Sequence, residues 1–245
     1  MNSNSSSFNT IDDNVSSPTY KVLVNRARQL IENRNGPMLF LVLAVFRLGI
    51  DYGFQRYILT QDFYQRNLGD QMSVGQIEDL FTRGLKMMFL IYPFQVLLLF
   101  IKCFLMACIL QAGLYFNKIE TSFGTLLKIT VLSNFILLVP EIIRLLWFCF
   151  FDQNYDADDL SFFYPLSALS LFREYQLSTM WMYPLKIINF FEVLYCMSLG
   201  LFLSAITRKS YEQSLSTVLG SYLPLLLIWI VTVMFIFSTF SSAAR

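Results

Sequence analysis

The chain contains no histidine among its 245 residues. That absence excludes Ser-His-Asp and Cys-His nucleophilic catalysis, imidazole-held zinc or haem, and intramembrane proteases built on glutamate and histidine. Charge is also scarce: Asp, Glu, Lys and Arg make up 14% of the chain, against about 25% in an ordinary soluble domain. The net charge of +1 gives no basic footprint for nucleic acid. Only four cysteines occur, Cys103, Cys108, Cys149 and Cys196, each inside an apolar run and without CxxC spacing. They read as small buried hydrophobes, not as metal ligands or disulfide partners. The opening Met-Asn-Ser-Asn-Ser-Ser-Ser has no basic stretch leading into an apolar one. A cleavable signal is therefore not expected, and the first spanning helix should act as the targeting signal.

What is abundant is apolar. Hydrophobic residues make up 56% of the chain, 25 of them are Phe, and the mean hydropathy is +0.53. A folded domain of about 250 residues still exposes a large surface, so one aqueous core cannot absorb this much hydrocarbon. Lipid must serve as solvent for much of it. The expected fold is all-α: a polytopic helical membrane protein with five transmembrane helices and an N-terminal amphipathic helix.

Along the chain, residues 1–18 are rich in Ser and Asn and predict a disordered cytoplasmic tail. Residues 19–36 predict an amphipathic interfacial helix. Tyr20, Leu23, Val24, Ala27, Leu30 and Ile31 recur at helical spacing, with Lys21, Arg26, Arg28 and Arg34 mainly on the other side. Those four cations are candidate contacts for an anionic lipid surface; a short helix packed on the protein's own loops is the alternative. Residues 37–238 form the membrane domain, with spans at about 37–58, 87–115, 126–150, 182–205 and 215–237, each near the ~20 residues that a ~30 Å hydrocarbon core requires. Four or six spans are the neighbouring counts, and residues 239–245 form a C-terminal tail. Between the first two spans, Val74, Ile77, Leu80, Phe81 and Leu85 predict a second surface helix. Basic residues near the span ends place the N-terminus in the cytoplasm and the C-terminus outside. The 151–181 loop continues into the apolar, Pro- and Ser-punctuated stretch Leu160–Phe172, expected to be re-entrant or interfacial on the outer face. Its run Asp156-Ala-Asp-Asp159 is a solvated acidic loop or, less simply, a Ca²⁺ ligand set.

Ionisable residues inside spans are the candidate site, because a charge in hydrocarbon needs a partner or water. Arg47 and Asp51 lie four apart, and Glu141 and Arg144 three apart, so each pair shares a helix face. Lys102, Lys186 and Glu192 have no such neighbour. Glu192 falls mid-span, with Lys102 and Arg144 as candidate partners. This polar cluster either locks helices together or binds an ion, headgroup or substrate. Small residues at four-residue spacing, Cys108 with Ala112, Gly200 with Ser204 and Ser216 with Gly220, permit close helix approach.

The layout resembles the Yip (Ypt/Rab-interacting) integral membrane family. The resemblance covers about residues 20–237. It lies in the lead-in NRARQLIENRNGPMLFLVL, the third-span stretch SFGTLLKITVLSNFILLVPEII, and the closing pair LSTMWMYPLKIINFFEVLYCMSLGLFLSAITRKSYEQSLSTVLGSYLPLLLIWIV. It implies five helices, a cytoplasmic N-terminus and no enzymatic activity. Eukaryotic members of that family act in vesicle trafficking and contact small GTPases through cytosolic tails. Here the tail is short and the glycine-rich signature of the early spans is missing, which points to a bacterial inner-membrane member over an ER or Golgi one. The expected function is thus a non-enzymatic scaffold or accessory subunit. It would contact the lipid bilayer and other membrane proteins or a second copy of itself, with no cofactor and no nucleic acid. The alternative is a transporter, channel or permease subunit with an intramembrane charged site. An intramembrane hydrolase or acyltransferase ranks third, since without histidine only Ser-Lys or paired-carboxylate chemistry remains.

Overall fold

Caps set the helix boundaries in the computed structural model, which describes residues 18–172, 179–207 and 209–243. Helix α1 (Pro18–Asn33) is followed at once by α2 (Gly36–Gly53), with Asn35 as N-cap and Pro37 in the first turn, where a missing amide hydrogen costs nothing. A π-helical turn, Phe54–Ile58, closes α2. Thr60 then caps α3 (Gln61–Leu68) by accepting from the Phe63 amide. Ser73 and Gln76 form a reciprocal capping box at the start of α4 (Val74–Phe116). Beyond a short turn, Ser122 caps α5 (Phe123–Asn134), which passes through a 3-10 turn at Phe135–Leu137 into α6 (Leu138–Phe150). Then come α7 (Ala157–Phe162), a 3-10 turn at Ala168–Leu171, α8 (Thr179–Ile187), α9 (Phe190–Thr207) and α10 (Tyr211–Ala243). Among the described residues there is no strand, only an isolated bridge between Ser167 and Asn189.

The protein is therefore all-α. Five helical stretches are long and apolar enough to cross a membrane: Gly36–Ile58, Val74–Phe116, Phe123–Phe150, Phe190–Thr207 and Tyr211–Ile236. Together they make the chain an integral membrane protein.

Four boundaries differ from the sequence reading. The expected surface helix around Val74–Leu85 is not separate, because α4 is one uninterrupted helix of 43 residues, with Pro93 inside it. At 1.5 Å per residue it is about 65 Å long, roughly twice the hydrocarbon thickness. Its first turns pack on α3, with Tyr64 edge-on to Phe81 and Ile77 buried. The third stretch changes pitch just before Pro140, which occupies the first turn of α6, where amide hydrogens lack intrahelical partners anyway. The fourth begins at Phe190 rather than 182, because the chain breaks at Ile188–Asn189. The fifth is helical through Ala243, so most of the expected 239–245 tail extends the last helix. The N-terminal tail, Arg173, Glu174, Arg208 and Arg245 lie outside the described residues.

The largest core joins α1, α4, α5, α9 and α10 through Ile31, Leu110, Leu126, Ile129, Tyr195, Leu199, Leu203 and Val218. A second cluster ties α2 to α4 and α5 through Leu43, Ile50, Cys103 and Val131. A third, around Ile58, Phe63, Phe148 and Tyr155, closes the opposite end. The predicted close approach at Gly200 is realised, since a Cβ there would lie 3.2 Å from the Leu215 backbone. Gly113 is a second tight contact, where an added Cβ would overlap the Ser221 hydroxyl. At Gly220, by contrast, an added Cβ meets nothing within 4 Å. The bundle thus has two ends. One carries α1, the α4–α5 turn, the end of α9 and the start of α10; the other carries α3, α7, the 163–172 loop and α8.

Candidate functional site

The charges predicted inside spans converge from separate elements near the α7 end. Arg47 of α2 pairs with Asp51 at 3.1 Å and reaches Glu141 of α6 at 4.0 Å. The Tyr164 hydroxyl, from the loop after α7, donates to the same Glu141 carboxylate at 3.3 Å. The Lys186 ammonium of α8 lies 4.5 Å over the Tyr164 ring. Four elements thus supply one connected chain: Asp51, Arg47, Glu141, Tyr164, Lys186. Burial, and after it the neighbouring Glu141 carboxylate, holds the Tyr164 phenol above its ordinary value, so it remains a donor at neutral pH.

Arg144 takes a different path. The expected Glu141–Arg144 pair is not formed, because each has a better placed partner on another element. Arg144 donates through Nη2 to the Leu160 carbonyl and lies over the Phe54 ring at 5.2 Å. It thereby ties α6 to α7 and to the π turn that ends α2. Its buried Nε has no hydrogen-bond partner among the described residues.

Glu192 and Lys102 stand apart from that chain. Glu192 is in the first turn of α9 rather than mid-span, a correction that follows from the break before Phe190. A carboxylate there sits where the helix dipole and free amides favour negative charge. Its partner is neither Lys102 nor Arg144 but the Tyr222 hydroxyl of α10, which donates to it. Lys102 forms no ion pair among the described residues.

The break itself is stitched by one side chain. Asn189 Nδ2 donates to the Lys186 and Ile187 carbonyls at 3.0 and 3.1 Å, and its Oδ1 accepts from the Glu192 amide at 2.8 Å. The neighbouring loop pairs with the same gap: Ala168 N donates to Ile188 O at 2.8 Å and Phe190 N to Leu166 O at 3.0 Å. Backbone groups freed by a helix interruption must find such partners when water is excluded. Leu160, Ser167 and Leu169 of the 160–172 stretch are buried, whereas Leu166, Leu171 and Phe172 face outward.

At the opposite end the basic lead-in divides its roles. Arg28 donates from Nε and Nη2 to the Ala205 carbonyl at 2.9 and 2.7 Å, capping the last turn of α9. It is thus a helix cap. Arg26 and Arg34 are exposed, as is Lys21. Ala27 and Ile31 are buried, whereas Val22, Leu23 and Leu30 face outward. The apolar stripe of α1 therefore serves both the bundle and its surroundings. Lys128 of α5 in turn caps α1, donating to the Ile31 carbonyl at 3.2 Å.

Sequence reasoning missed Tyr164, Tyr222, Asn189 and Lys128. The tyrosines offered a signal, since a buried phenol needs a partner, but within aromatic stripes they look like packing. The acidic run has a structural use: Asp156 and Asp159 form a reciprocal capping box on α7. Among the described residues, no group of three His, Cys, Asp or Glu is placed to hold a metal ion, and all four cysteines are free. No family model, curated protein or solved structure matches the chain.

Proposed function

We propose that this chain is a non-enzymatic membrane protein of Yip-like architecture that acts as a scaffold or accessory subunit through protein and lipid contacts. The observation that carries this reading is the closure of the charged chain: Asp51, Arg47, Glu141, Tyr164 and Lys186 bind one another. Groups so paired lock helices and leave little free to bind and release a solute. The apolar surface supports the same reading. None of the most apolar stretch of α10 is buried within the fold, and Phe89 and Leu90 of α4 are 91% and 79% exposed. Such faces suit lipid or another membrane protein. In this proposal the N-terminus is cytoplasmic, the C-terminus is outside, and the membrane is a bacterial inner membrane.

A transporter or permease subunit is the second reading, favoured by one feature: the interrupted α8–α9 helix beside charged groups, an arrangement that transporters use for binding sites. Reconstitution into sealed vesicles separates the two. The scaffold reading expects no proton- or ion-coupled flux, and a defined membrane protein copurifying from mild detergent. A coupled flux abolished by Glu192→Gln would overturn it. Topology has its own test. In a cysteine-free background, thiols at Glu32 and Asn154, both exposed, should label from opposite sides of the membrane, with Glu32 reached from the cytoplasm. Labelling of both from one side refutes the orientation.

A further inference from the structure

Between the ends of α4, α9 and α10 lies a polar cavity of about 680 Å³. It is lined by Asn117, Lys209, Glu212, Ser214 and Thr217, among others. Ser216, Gly220 and Glu212 also line a second cavity of about 600 Å³ that continues along α10 past Leu219, Leu223 and Leu227. The two share these residues, so the polar hollow adjoins an apolar face of α10.

Two observations point to an occupant. Lys209 and Glu212 bring opposite charges to the chamber but form no ion pair with each other among the described residues. Gly220 leaves open space where any side chain would intrude on the groove.

We infer that this site holds one zwitterionic phospholipid with a primary amine, of the phosphatidylethanolamine class. Lys209 meets the phosphate, Glu212 accepts hydrogen bonds from the ammonium, and one acyl chain follows the leucines of α10. A cation and an anion on the same wall match a zwitterion better than an anionic headgroup, which Glu212 would repel. A trimethylated amine has no N–H to offer that carboxylate, so phosphatidylcholine forfeits a charge-assisted hydrogen bond. The inference rests on the proposed lipid contacts but is separable from the scaffold role.

The test uses the full chain, purified in mild detergent, stripped of lipid and titrated in native mass spectrometry. The probes are phosphatidylethanolamine, phosphatidylcholine and phosphatidylglycerol of equal chain length, with free phosphoethanolamine as a fourth. One phosphatidylethanolamine per chain should be retained about tenfold better than phosphatidylcholine, a difference worth one charge-assisted hydrogen bond. Glu212→Gln should erase that preference. Gly220→Leu should abolish retention without lowering the thermal unfolding midpoint, since its first added carbon meets no neighbour and leucine favours the helix more than glycine does. Equal retention of the three lipids, full retention by Gly220→Leu, or free phosphoethanolamine binding as tightly as the lipid would each overturn the proposal. A flux result from the vesicle experiment would sink the scaffold reading and leave this one standing. Lipid-blind binding with no flux would do the reverse.

Discussion

The two ends of the bundle use their few charges differently. Near α7, Arg47 meets Asp51 and Glu141, and Tyr164 links that carboxylate to Lys186, while Arg144 and Arg66 meet the Leu160 and Gln153 carbonyls. Near α1, cations meet backbone: Arg28 caps α9 at Ala205 and Lys128 caps α1 at Ile31. No acid is consumed in either cap, so Glu212 and Lys209 remain available beside a cavity. Mutual neutralisation closes a site, whereas capping leaves side chains free for a ligand.

The largest effect should come from opening the sealed end. Arg47→Leu leaves Asp51 and Glu141 without their cation, and breaking a partly buried pair from one side costs about 3–5 kcal/mol. Unfolding in mixed micelles should show that loss. Arg47→Leu with Asp51→Leu should recover much of it, because the double variant leaves one carboxylate, itself held by Tyr164. A single variant as stable as the wild type would show the chain of charges to be ornamental to the fold. At the other end, Arg28→Ala should cost about 2 kcal/mol, the range for a hydrogen bond from a charged donor. That loss should fall on the junction of α1 with α9, read as faster hydrogen exchange in the last turn of α9 and not in α6. Uniform exchange across both helices would show the two ends to be coupled and the contrast between them false.

Much of this contrast was visible in the amino-acid order, and some could not be. Long apolar runs disclosed the all-α membrane class, since hydrophobicity over about 20 residues is a bulk property that survives any error of packing. The Arg47–Asp51 pair was legible because both residues lie on one helix, four apart. Partners on different helices were not. Glu192 found Tyr222 thirty positions away, and Arg144 found a carbonyl of α7 where Glu141 stood three positions off. Helix spacing lists the neighbours a charge has along its own helix, but tertiary packing selects among those it never lists. The break at Ile188–Asn189 escaped for a related reason. Its signal is one asparagine in an apolar run, and Asn189 becomes a cap only once the 166–168 loop supplies the other hydrogen bonds. Gly200 and Gly220 both occur in small-residue patterns; only packing separates the one pressed on Leu215 from the one beside open space.

The smallest effect sharpens the account of the sealed end through pH. Tyr155, in the loop between α6 and α7, is buried against Phe63 and Phe148 and donates to the Ile58 carbonyl at 2.8 Å. That carbonyl belongs to the π turn closing α2, so the bond clamps the loop to the first span. Removing the hydroxyl by Tyr155→Phe should cost about 1 kcal/mol at neutral pH. Burial raises the phenol above its ordinary value of 10.0, outweighing the opposing pull of Arg66. A raised folded value means the unfolded chain gives up this proton first as pH climbs. The stability from the neutral phenol is therefore complete below pH 10.0 and drains away as pH passes through the folded value. The variant has no such proton to lose. The gap between wild type and Tyr155→Phe should thus stay constant up to about pH 9 and narrow above about pH 10. A gap unchanged across that range would mean the hydroxyl is already open to water, and that the third cluster does not seal its end of the bundle.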